Sequence, residues 1–153
     1  MPAPPSSAAG AGTVRVLLVE DHELVRQAFS LAFEELPDID LVGLAGLAEE
    51  GIAAAREFQP DVVLLDRRLP DGDAIDSIGR FREAAPACQV LILTGYADDE
   101  IVARVVEAGA TGLALKGGQV DNLIEIIRRV AGGERAFPPD LFRGVPGGPA
   151  PSS

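Results

Sequence analysis

The sequence predicts an α/β protein with a doubly wound parallel sheet of five strands. Three observations carry this. Short apolar runs alternate with segments of helical spacing. The runs at Val14–Val19 (apart from Arg15), Val62–Leu65 and Val90–Leu93 are almost wholly apolar, as strands covered on both faces must be. Finally, four runs end in polar residues: Glu20-Asp21, Asp66, Thr94 and Lys116.

The elements follow in order. Residues 1–13, rich in Pro, Ala, Ser and Gly, read as a disordered leader. Val14–Val19 is the first strand. Asp21 to Glu35 has helical spacing through Leu24, Ala28, Leu31 and Ala32. Leu41–Leu44 is a weaker strand, followed by a helix over Ala48–Phe58. Pro60-Asp61 punctuates before the third strand, Val62–Leu65. A loop from Arg67 to Gly72 leads into a helix over Asp73–Ala84, ended by Pro86. Val90–Leu93 is the fourth strand. Asp98 or Asp99 caps the next helix, which Gly109 stops after Ala108. Gly112–Leu115 is the fifth strand. The last helix, Gln119 to Ala131, is expected to bury Val120, Leu123, Ile127 and Val130. The domain therefore covers 14–136, and 137–153 is a Pro/Gly-rich tail in which residues 138–153 hold five of the 12 prolines.

Composition narrows the function. The 153 residues fit one domain that needs no metal or disulfide to fold. The single cysteine, Cys88, excludes an internal disulfide and reads as a core filler. No apolar run reaches the roughly 20 residues of a membrane span, and no signal peptide is evident, so a cytoplasmic location is expected. The formal net charge of −11 leaves Arg67-Arg68 and Arg128-Arg129 as the only basic pairs, so this chain alone is not expected to bind nucleic acid.

Ligands of open parallel sheets bind beyond the carboxyl ends of the strands, where the four polar endings lie. Glu20, Asp21 and Asp66 are hard oxygen donors suited to Mg²⁺. Without a cation, two carboxylates about 4 Å apart repel by on the order of 4 kcal/mol at an effective dielectric of 20. Lys116 and Mg²⁺ would relieve this and stabilise a transferring phosphoryl group. The Thr94 hydroxyl can donate to a phosphoryl oxygen. Lys116 is the only lysine among 13 basic residues, and a compact ammonium suits a small anion pocket better than a planar guanidinium. The grouping points to Asp66 as a phosphoryl acceptor.

The ordered segments VRVLLVEDHELVRQAF, DVVLLDRRLPDGDAI, LILTGYADD and GLALKGG carry a pattern that spans Val14 to about Ala136, with GERAFPPDL following them. In this the chain resembles the receiver domain of bacterial two-component response regulators, nearest the branch with LuxR-type helix-turn-helix output domains. The resemblance implies a flavodoxin-like receiver fold with strand order 2-1-3-4-5, the order that the general rule for doubly wound sheets already associates with receivers. It implies Asp66 as phosphoacceptor, Mg²⁺ held by Glu20, Asp21, Asp66 and the Arg68 backbone carbonyl, and phosphoryl contacts from Thr94 and Lys116. A sensor histidine kinase is the implied donor, a homodimer a possible assembly. Arg68 and Tyr96, each two residues past a site residue, are placed to slow dephosphorylation. His22 is expected to lie exposed near a helix start.

Three departures stand out. Ala74 occupies a position usually glycine, Leu113 replaces the usual switch aromatic, and Gly117 follows the lysine where proline is common. The first two favour a rival reading, a phosphorylation-independent pseudo-receiver used for dimerisation or docking. An aspartyl-phosphate phosphatase would need a carboxylate two residues after Asp66, where Arg68 stands. P-loop, nucleophile-elbow and HExxH patterns are missing from the sequence, so the chain reads as a signalling domain rather than an enzyme.

Overall fold

A computed structural model describes residues 13–137. Its sheet is built from β1 (Val14–Val19), β2 (Ile39–Ala45), β3 (Val62–Asp66), β4 (Gln89–Thr94) and β5 (Gly112–Leu115). All pairings within it are parallel and the spatial order is β2-β1-β3-β4-β5. This is the expected order 2-1-3-4-5. Order reverses between β1 and β3, which opens a crevice beyond their carboxyl ends.

Side chains alternate across the strands and divide the core into two layers. Leu17, Val19, Val63, Leu65, Ile92 and Leu113 face one side. There they meet Ile52 and Ala55 of α2 (Ala48–Phe58), Phe81 of α3 (Ile78–Ala84), and Val102 and Val105 of α4 (Asp99–Ala108). Val16, Leu18, Leu64, Leu91 and Ala114 face the other side, against Phe33 of α1 (Glu23–Glu34) and Ile127 and Val130 of α5 (Val120–Ala131). Close packing fixes the residue at Gly51, where an added Cβ would stand 2.8 Å from Val19 and 2.9 Å from Phe81. Cys88 is buried in the first layer, as expected of a core filler.

Several local expectations change. Of the stripe expected on α1 only Ala32 packs against the core, while Leu24 is 80% and Leu31 64% exposed. The packed face runs instead through Phe29, Ala32 and Phe33, with the two rings stacked at 6.0 Å. This helix carries two overlapping apolar stripes, and tertiary packing selects between them. Likewise Val120 at the start of α5 is half-exposed while Ile124 takes a core position. The helix expected from Asp73 begins as a 3₁₀ turn, Ala74–Ser77, capped by the Asp73 carboxylate on Ile75 N–H. The expected loop before it contains a two-residue antiparallel ribbon, Arg68–Leu69 against Gly72–Asp73. Gly72, with φ of +135°, makes its turn, so the buried Ala74 need not. β2 also extends two residues further at its start than its apolar run, since this edge strand tolerates the exposed Asp40.

Asp98 and Gly109 act as expected at α4: the Asp98 side chain accepts from Ile101 N–H, and Gly109 closes the helix at φ of +102°. Past α5, Ala136 bridges in parallel to Gly112, and Phe137 is buried one residue beyond the expected domain boundary. The leader 1–12 and the tail from 138 lie outside the described residues.

Candidate functional site

Parallel pairing delivers the polar strand endings to one rim. β1 and β3 are neighbours, so Glu20 and Asp21 emerge beside Asp66. β3 and β4 pair Asp66 with Leu93, one residue short of Thr94. β4 and β5 pair Thr94 with Leu115, and Lys116 N–H donates to the Thr94 carbonyl at 2.6 Å. Extended backbone at His22 (ψ 116°) delays α1, so Asp21 belongs to the rim and not to the helix.

The five predicted residues do come together. Lys116 Nζ donates to Asp66 Oδ2 at 3.1 Å and also stands 3.1 Å from Glu20 Oε1. Ligand atoms of Glu20, Asp21, His22 and Asp66 all lie within 4.8 Å of one another. A cavity of about 260 Å³ opens above them, lined by His22, Asp66, Arg68, Thr94, Tyr96 and Lys116. Asp66 is 3% exposed and forms part of the cavity wall, so its carboxylate is reached through the cavity and not from open surface.

Electrostatics separate the carboxylates. Burial alone would raise the Glu20 pKa. Hydrogen bonds from the His22 backbone N–H and ring, with the Lys116 ammonium, more than offset that and hold it below its ordinary value. Asp66 goes the other way: burial and the Glu20 charge push it up, against the pull of Lys116. Burial works against the Lys116 charge, yet Glu20 and Asp66 together raise its pKa. The His22 pKa is raised by its bond to Glu20 and by the Asp21 charge.

Two buried carboxylate oxygens, Glu20 Oε1 and Asp21 Oδ1, have no hydrogen bond. Glu20 Oε1 is close to Lys116 Nζ but outside hydrogen-bond geometry, so the contact is an ion pair only. Unsatisfied buried oxygens beside an acidic group are the expected signature of a cation position. Residues here fit Mg²⁺, with Asp21, Asp66 and Glu20 as oxygen donors.

Other predicted residues have distinct placements. The Thr94 hydroxyl donates to the Tyr96 carbonyl at 2.9 Å, and Thr94 lines the same cavity as Asp66. Arg68 and the two-thirds exposed Tyr96 both border the cavity. Leu113 is wholly buried below the rim. His22 is 64% exposed at the start of α1, as expected. Its ring Nδ1 also sits 2.8 Å from Glu20 Oε2, a contact that only its position beside the acidic pair could have suggested. Two aspartates of the following loop were not singled out. Asp71 accepts from Ala48 and Glu49 N–H at the start of α2, and Asp73 accepts from Arg67 at 3.2 Å.

Fold and strand order are those of a receiver domain, and the response regulator receiver domain family model matches residues 16–128. The chain belongs to this family. It is 33% identical over 130 residues to the response regulator protein VraR of Staphylococcus aureus, an alignment covering 85% of this chain. The chain spans 62% of that relative's length. Among solved structures it resembles a LuxR-family two-component response regulator from Aurantimonas at 32% identity and a TM-score of 0.78. That match covers 84% of this chain and 92% of the relative. The signal receiver domain of the putative response regulator NarL from Mycobacterium tuberculosis matches at 26% identity and a TM-score of 0.75, covering 80% of this chain and 98% of the other. The LuxR-family relative agrees with the branch read from the sequence. No helix among the described residues is long and apolar enough to cross a membrane.

Proposed function

We propose that the chain is a phosphorylation-controlled switch that accepts a phosphoryl group on Asp66, with Mg²⁺, from a sensor histidine kinase. The observation that carries this is Lys116 reaching Asp66 and Glu20 at the wall of a cavity beside unsatisfied acidic oxygens. Asp21, Asp66 and Glu20 would hold the ion, with the Arg68 carbonyl as a further ligand. A bound Mg²⁺ supplies positive charge to the phosphoryl oxygens. An Asp66 carboxylate oxygen attacks phosphorus, and the bond from phosphorus to the donor imidazole nitrogen breaks. The imidazole leaves with that electron pair and takes a proton. A small acyl phosphate would react in the same way, releasing its carboxylate. Lys116 balances charge on the transferred group, and Thr94 exchanges its bond to Tyr96 for a phosphoryl oxygen.

The product biases the surface made by α4, β5 and α5, or by α1 and α5, toward a partner or a second copy. The setting is transcriptional or other signalling inside the cytoplasm. A pseudo-receiver would keep the fold without needing the ion. Tyr96 is the only tyrosine, the chain has no tryptophan, and Tyr96 borders the cavity. Its fluorescence therefore reports the site. Mg²⁺ titration should change tyrosine emission saturably in the native sequence and not in Asp21→Asn. An emission that Mg²⁺ leaves unaltered would favour the pseudo-receiver.

A further inference from the structure

We propose that His22 supplies a nitrogen ligand to the cation position at the rim, so that with Glu20, Asp21 and Asp66 it takes divalent transition-metal ions in preference to Mg²⁺. This rests on the reading of the rim as a cation position given above, and adds to it a ligand and a class of ion. Extended backbone at His22 keeps the residue out of α1 and beside the acidic pair. Its ring Nδ1 lies 2.8 Å from Glu20 Oε2 and 3.4 Å from Asp21 Oδ1. One donor atom from each of Glu20, Asp21, His22 and Asp66 falls within 4.8 Å of the other three. Six ligands at about 2.1 Å from an ion stand about 3.0 Å from their neighbours and about 4.2 Å from the ligand opposite. The two distances from His22 bracket the first figure. Ring and carboxylates already stand as adjacent ligands of one ion would.

The donor set calls for a positive ion of charge two. Glu20 is wholly buried and its Oε1 has no hydrogen bond, nor has Asp21 Oδ1 beside the ring. Lys116 stands 3.1 Å from both Glu20 and Asp66. Three ionised carboxylates against one ammonium leave two negative charges, which one divalent ion balances. A neutral imidazole adds a ligand without adding charge. An ion bound at Nδ1 takes the place of the proton in the bond between ring and Glu20, and the neutral ring keeps its proton on Nε2. Imidazole also decides which ion is preferred. Mg²⁺ takes oxygen ligands and gives up water reluctantly, whereas Ni²⁺, Cu²⁺ and Zn²⁺ bind nitrogen well. His22 is 64% exposed and lines the cavity with Asp66 and Lys116, so an entering ion meets it.

The test titrates Ni²⁺ alone and Mg²⁺ alone into the full chain by calorimetry, with no phosphoryl donor. His22 is the only histidine and the one cysteine, Cys88, is buried, so no other imidazole or accessible thiol can account for the response. His22→Ala should lower Ni²⁺ affinity by about tenfold or more while Mg²⁺ affinity changes by less than about threefold. His22→Gln keeps a side-chain donor for Glu20 but no imidazole, and should lose Ni²⁺ affinity as far as His22→Ala does. Asp21→Asn should weaken both ions. Ni²⁺ affinity that survives His22→Ala, or that His22→Gln preserves, would overturn the ligand role. Equal losses for Ni²⁺ and Mg²⁺ would overturn it too, since a histidine that merely held Glu20 in place would affect both alike. Ni²⁺ binding untouched by Asp21→Asn would put the ion elsewhere, with the same consequence. Mg²⁺ binding beside a Ni²⁺ affinity independent of His22 would remove this ligand and leave the proposed function standing. Ni²⁺ held through His22 with no Mg²⁺ bound would support the ligand and count against the proposed function alone. A native chain that bound neither ion would remove both.

Discussion

Lys116 Nζ lies 3.1 Å from Asp66 Oδ2, joining residues 50 positions apart at the ends of two strands separated by β4. The same ammonium stands 3.1 Å from Glu20, so a single cation offsets two buried carboxylates. Removing it would leave both without their neutralising charge. Lys116→Met should cost about 1–3 kcal/mol of stability in chelator, discounted from the fully buried case because Lys116 is 27% exposed. Mg²⁺ should recover most of that loss. Urea unfolding with and without Mg²⁺ checks both parts, and a variant as stable as the native chain in chelator would contradict the charge argument.

Arg68 and Tyr96 border the cavity from its outer side. If they keep water from the phosphoryl group, Arg68→Ala and Tyr96→Ala should each speed its loss by roughly threefold, less than 1 kcal/mol of barrier. Decay of phosphorylated protein after donor removal gives the rate. Unaltered decay in both variants would remove the shielding role.

Burial pushes the Cys88 thiol from 9.0 up to about 11. The folded chain then keeps a proton that the unfolded chain releases above about pH 9. Stability should consequently fall from pH 9 towards pH 11, by roughly 2–3 kcal/mol at the upper end. Cys88→Ala lacks that component, so the two unfolding curves against pH should converge there. At neutral pH the native thiol should resist alkylation until denaturant is added; rapid labelling of folded protein would be inconsistent with its burial.

Asp71 accepts from two N–H groups at the start of α2, and these bonds hold its pKa below the ordinary carboxylate value. A depressed carboxylate stabilises the fold above its unfolded pKa and ceases to do so as pH falls through the folded one. Asp71→Ala should cost about 1 kcal/mol or less at neutral pH, the residue being exposed, and the difference should shrink under acid. Thermal unfolding at several pH values measures it. A difference that grew on acidification would have the wrong sign.

Much of the rim was legible because parallel strands write their direction into sequence: an apolar run, then its polar ending. Glu20, Asp21, Asp66, Thr94 and Lys116 all follow that rule. Strand order was not legible in the runs and came with the family resemblance. What escaped is non-local. P-D-G announces a turn at Pro70–Gly72, but nothing near Asp71 says that its partners are 22 and 23 residues earlier. The Arg67 pair reads as solvated charge until β3 buries its first member. The α1 stripe failed for a related reason, since Leu24 and Phe33 are equally apolar and only the sheet beneath decides which is covered.

Phosphoryl transfer to Asp66 is tested most directly by intact mass after incubation with acetyl phosphate. The native sequence should gain one phosphoryl group with Mg²⁺ and none in chelator, and Asp66→Asn should gain none in either. A native chain whose mass stays constant with donor and ion both present, or a gain that survives Asp66→Asn, would contradict it.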